Sequence, residues 1–111
     1  MITVEVFLDE KEFIQGFRVE GHSDFAPHGE DIVCSAVSAL TQTAVLGLTK
    51  YLHLTPEVSI KPGDMECFLP KQLAGEPFKL AQAILKTLVL GLMAIEESYG
   101  EYVVVQKRRW R

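Results

Sequence analysis

The chain has 111 residues and a mass of 12.4 kDa, enough for one domain and little more. Its 48% hydrophobic and 23% charged residues exclude global disorder, because that much apolar surface can offset the ordering entropy. Eleven basic residues stand against fifteen acidic ones, and residues 1–31 alone hold eight acids against Lys11 and Arg18. Such an acidic body repels nucleic acid and attracts basic polypeptides.

Two cysteines cannot build the disulfide framework of a small secreted domain. The start, MITVEVFLDE, lacks the parts of a signal peptide, and no apolar run reaches the roughly 18 residues of a membrane span. The expectation is a cytoplasmic protein, a single domain over 1–111, with no membrane partner.

Ile2, Val4, Val6 and Leu8 alternate with Thr3, Glu5 and Phe7, the period of a half-buried strand. The polar stretch Asp9–Glu12 turns the chain into a second strand at 13–20, where Gly16 suggests a bulge or bend. A long helix is expected from Ile32 to about Leu52. Val33, Ala36, Val37, Leu40, Ala44, Leu48 and Tyr51 share one of its faces, and Pro56 closes the region.

Val58 and Ile60, then Met65, Cys67 and Leu69, read as two strands joined by the turn Lys61-Pro62-Gly63-Asp64. A second helix begins near Pro77 with Leu80, Ala81, Ile84, Leu85, Leu88, Val89, Leu92 and Ile95 as its stripe, and Gly100 stops it. Gly47 and Gly91 allow the two helices to approach closely. Tyr102–Val105 is a last strand, apolar enough for burial on both faces, and KRRWR after it reads as a solvated tail. The order ββαββαβ predicts an α+β fold. It is a two-layer sandwich, a mainly antiparallel sheet of about five strands with two long helices on one face.

Residues 21–38, GHSDFAPHGEDIVCSAVS, gather two histidines, two aspartates, a glutamate and a cysteine between a strand and a helix. Asp31 is suited to cap that helix, which makes Cys34 its third residue. Free amides and the helix dipole there would lower a thiol pKa and could hold an oxyanion. A nucleophilic cysteine needs a histidine to share its proton, and His22 and His28 are the candidates. Cys67 alternates with Met65 and Leu69 and reads as structural, and His53 at a helix end has no site role. A metal held by His22, His28 and Cys34 with Asp24 or Asp31 is the weaker alternative, since no Cys-x-x-Cys pair supports it. No metal or other cofactor is expected.

Gly21-His22, then Gly29, Asp31-Ile32-Val33-Cys34 and Ala36-Val37-Ser38-Ala39-Leu40, resembles the signature of the ribosomal-processing cysteine protease Prp family. The resemblance covers essentially the whole chain. It implies a cytoplasmic, homodimeric endopeptidase that trims the N-terminal extension of a large-subunit ribosomal protein, number twenty-seven, after an aromatic pair. Carried onto this chain, Cys34 is the nucleophile and His22 the general base and proton donor, while His28 inherits no role.

Asp31 either orients His22 or only caps the helix. Ser38, one turn after Cys34, either backs the site or packs on the sheet. Gly21 and Gly29 read as hinges of the loop, and Phe25 between them either meets an apolar peptide or packs. Two rivals stand beside the protease. One is a non-enzymatic ribosome-associated module whose tail contacts RNA, and the other a thiol-dependent hydrolase of small metabolites.

Overall fold

A computed structural model describes residues 1–21 and 28–110, with residues 28–31 described by backbone alone. Strand β1 (Ile2–Leu8) pairs antiparallel with β2 (Ile14–Glu20), and a bulge falls where Phe7 faces Gly16 and Leu8 faces Ile14. Helix α1 (His28–Leu46) follows and runs into a π-helical turn at Gly47–Tyr51. Strands β3 (Glu57–Lys61) and β4 (Asp64–Phe68) form a hairpin, helix α2 spans Gly75–Tyr99, and β5 (Val103–Arg109) closes the chain. The sheet order is β3-β4-β2-β1-β5, antiparallel except for β5, which lies parallel to β1.

The two-layer α+β expectation is thus met. One face of the sheet, carrying Ile2, Val4, Val6, Phe17, Val19, Met65, Cys67 and Val103, is buried beneath the helices. Val33, Val37, Ala44 and Leu48 descend from α1, and Ala81, Leu85, Leu88 and Leu92 from α2. Burying side chains of this size stabilises by about 1.5–3 kcal/mol each. The helices do approach closely at glycines. A Cβ on Gly47 would sit 3.1 Å from Ile84 Cδ1, and one on Gly91 would sit 3.1 Å from Leu40 Cδ1.

Two polar contacts, one buried and one half-buried, join the layers. Gln82 accepts the Ile14 N–H at 2.8 Å and donates to the Ile14 carbonyl at 2.7 Å, so the start of β2 is held by α2. Glu96 accepts the Val105 N–H at 2.7 Å, occupying a backbone donor of the edge strand β5. On the opposite, open face, Phe68 stacks on Trp110 and leans on Phe7 around Gly16. Beside them Arg18 donates to both carboxylate oxygens of Asp64, at 3.2 and 2.9 Å, which holds the Asp64 carboxyl below its ordinary range.

Several expectations need correction. Helix α1 starts at His28, four residues before the expected Ile32, so Asp31 lies within its first turn and is not its cap. Tyr51 is 78% exposed, because the π-helical turn changes the angle between successive side chains and rotates it off the core face. Leu80 likewise faces outward. His53 takes the left-handed φ of 56° that ends the helical run, with the Leu54 N–H bonding back to the Leu48 carbonyl.

Strand β5 extends to Arg109, so Lys107, Arg108 and Arg109 are strand residues and not a loose tail. Arg108 pairs with Glu5 at 3.1 Å and Arg109 with Glu12 at 3.3 Å. Being an edge strand, β5 buries Val103 fully and Val104 and Val105 only in part. Ile32–Tyr51 and Gly75–Tyr99 are long and apolar enough on average to cross a membrane, although polar residues interrupt both, as the sequence reading had it. In the fold each lays a buried stripe on the sheet.

Candidate active site

The site is built on α1. Positions 33, 37, 41 and 44 point into the core, and residues one step along, Cys34 and Ser38, fall at its margin and are half-buried. The sulfur side chain packs on the edge of the core while keeping solvent access. Residues four apart on a helix lie about 5–6 Å apart between Cβ atoms, so Ser38 is the direct neighbour of Cys34 along this face.

The early start of α1 changes the electrostatics expected of the thiol. Cys34 is the seventh helical residue, about 9 Å along the axis from the first. The amides without helical partners are those of residues 28–31, one turn ahead of it, and the dipole effect is concentrated in that turn. The oxyanion contact expected from an unpaired amide at Cys34 is therefore withdrawn. The sequence offered a signal for the true start in Pro27, since proline suits a helix entry. Asp31 drew the boundary to itself, because a capping aspartate is equally at home at a helix start.

Cys67 behaves as expected of a structural cysteine. It is 1% exposed between Phe17 and Val58, and burial pushes its thiol up to about 11, so it holds little nucleophilic thiolate near neutrality. The two cysteines are separated by environment, one half-buried on a helix margin and one sealed in the sheet.

His22, Asp24 and Phe25 lie outside the described residues, as do the side chains of His28 and Asp31. The strand that leads to His22 is β2. Gly21, just past the end of β2, takes φ +102°, and its N–H donates to the carbonyl of Gly63 in the β3–β4 turn at 3.0 Å. Gly29 is the second residue of α1. Among the described residues no group of three His, Cys, Asp or Glu side chains converges to hold a metal.

A depression of about 130 Å³ adjoins this face, between α1 and the β3–β4 hairpin. Ser38, Thr41 and Gln42 form one wall, and Val19, Met65 and Ile60 the floor. Nothing in the sequence singled it out.

The family model described as cysteine protease Prp matches residues 1–104. The chain belongs to the Prp family of cysteine proteases. The ribosomal processing cysteine protease Prp of Bacillus subtilis is 30% identical over 103 residues, covering 91% of this chain and 92% of that one. Its Staphylococcus aureus counterpart is 28% identical over 106 residues, 93% and 95% of the two chains.

Among solved structures, an S. aureus Prp with a covalently linked product peptide has a TM-score of 0.82 at 26% identity, covering 97% of this chain and 100% of that one. An S. aureus Prp in complex with a substrate peptide reaches a TM-score of 0.87 at 24% identity, with the same coverage, and bears out the fold. This Prp-family chain is accordingly a cysteine protease, and the non-enzymatic module and the metabolite hydrolase fall away.

Proposed function

We propose that this protease is a cytoplasmic endopeptidase that removes the N-terminal extension of large-subunit ribosomal protein twenty-seven, cutting after an aromatic pair. The observation that carries the reading is Cys34, a half-buried thiol on the margin of α1 one turn before Ser38, which lines the depression, in a chain matched over residues 1–104 by the Prp family. The relatives named as ribosomal processing proteases support a ribosomal substrate.

In the proposed mechanism the Cys34 thiolate attacks the scissile carbonyl and forms an acyl-enzyme. The His22 imidazolium protonates the leaving amine, then as a neutral base takes a proton from the water that attacks the acyl carbon. Asp31 orients His22, Ser38 supports the thiol from the next turn, and Gly21 and Gly29 flank the segment carrying the histidine. No cofactor takes part. The acidic first 31 residues suit a basic ribosomal protein, although Arg108 and Arg109 neutralise Glu5 and Glu12 within that surface. The working unit is a homodimer, and contact with nucleic acid is not expected.

The test is direct. The ribosomal protein with its extension is incubated with the enzyme, and products are read by mass spectrometry. One cut after the aromatic pair, lost in Cys34→Ala, is the expected result. An intact substrate would overturn the reading.

A further inference from the structure

The inner face of the sheet is covered unevenly. Val19, Met65 and Ile60 form one row across β2, β4 and β3, since Val19 pairs with Met65 and Met65 with Ile60. Val19 and Met65 are buried, yet Ile60 is 68% exposed, because neither helix reaches over β3. Val58, the next inward residue of β3, is also exposed. An apolar row therefore emerges from the core into the depression alongside α1, within a turn or two of Cys34.

The two sheet edges differ in the same sense. On β5 a backbone donor is occupied by Glu96. On β3, among the described residues, no side chain bonds to the backbone, so its outer edge presents free N–H and C=O groups. An extended peptide can add to such an edge, using main-chain hydrogen bonds for affinity and seating alternate side chains in pockets beside it. The depression, about 130 Å³, is close to the ~150 Å³ cavity that accepts a benzene ring.

We infer that Ile60, with Met65 and the wall Ser38–Thr41–Gln42, forms a specificity pocket for one bulky apolar side chain of a substrate peptide lying along β3. The inference rests on the endopeptidase reading and adds the determinant of its side-chain preference. The peptide lies antiparallel or parallel to β3 as a sixth strand, with every second side chain turned inward. The inward chain nearest Ser38 enters the pocket, and the neighbouring scissile bond is brought towards Cys34.

The experiment measures steady-state cleavage of a synthetic peptide spanning the extension, and of two derivatives in which each residue of the aromatic pair is replaced by Ala. The enzymes are the wild type, Ile60→Ser and Leu90→Ser, the last a 68% exposed leucine of α2 remote from the pocket. Ile60→Ser should raise KM about tenfold on the parent peptide with kcat little changed, while Leu90→Ser matches the wild type.

One Ala derivative should be penalised in the wild type but not further in Ile60→Ser, which identifies the side chain that the pocket holds. N-methylation of successive peptide amides should impair cleavage at alternate positions only. Equal kinetics for Ile60→Ser and wild type on all three peptides would overturn the pocket and leave the protease reading standing. Failure of the wild type to cleave any of them would remove the substrate proposed above, and the pocket with it.

Discussion

Gly21 and Gly63 are joined backbone to backbone, the N–H of the first donating to the carbonyl of the second at 3.0 Å. The bond fixes the point from which the His22 segment departs against the turn of the β3–β4 hairpin. Gly21 sits at φ +102°, and a Cβ there would collide with the carbonyl of Met1. Gly21→Ala should therefore cost about 2 kcal/mol or more in denaturant unfolding, and should lower cleavage even where the protein remains folded.

Cys34→Ala should abolish cleavage with little loss of stability, because the position is helical and only half-buried. Cys67→Ala should keep cleavage while losing about 1–2 kcal/mol to the cavity it leaves in the sheet. Alkylation followed by peptide mapping checks the assignment. Iodoacetamide should modify Cys34 first, with inactivation tracking that peptide. Inactivation that instead follows Cys67 would reverse the two roles.

His22→Ala should reduce cleavage by about two to four orders of magnitude, the range of a lost acid–base group, with His28→Ala far less affected. Both variants are compared at saturating substrate, so that binding is kept apart from chemistry. Equal losses, together with stimulation of the wild type by zinc, would point to a metal site.

The Cys67 thiol titrates near 11 in the folded state against 9.0 when unconstrained, because burial disfavours the thiolate. Between those values the folded protein holds a proton that the unfolded chain has released, so stability falls as pH rises from about 9 to 11. The full contribution is about 3 kcal/mol. Denaturant titrations at pH 8 and pH 10.5 should show this decline in the wild type and a shallower one in Cys67→Ala. Parallel slopes would mean that the thiol does not govern alkaline stability.

The strands and both helices were legible because burial writes its period into the sequence. Ile2, Val4, Val6 and Leu8 are all buried, as their alternation requires. Boundaries were read less well where two local signals competed, as at the start of α1, where Asp31 stood as a convincing cap inside the first turn. Charge misled at the other end. Lys107, Arg108 and Arg109 look like a solvated tail until Glu5 and Glu12 arrive from the opposite end of the chain to pair with two of them.

Gln82 and Glu96 were illegible for a similar reason, since each satisfies a backbone group supplied by another element. Of the candidate site, the shared helix face of Cys34 and Ser38 followed from helical spacing. The row Val19–Met65–Ile60 did not, because it exists only once three strands have taken their register.

The parallel pairing of β1 with β5 joins residues 2–8 to residues 103–109. Chain-closing contacts of that span are the slowest kind to form, since nearly the whole polypeptide must be ordered before they reward it. During synthesis β1 is made before β5, so it lacks its second partner until residues 103–109 are in place. Until then β1 presents an unpaired backbone edge, and the sheet that supports the candidate site is one strand short. A nascent chain stopped before Val103 would be prone to aggregate and unable to cut.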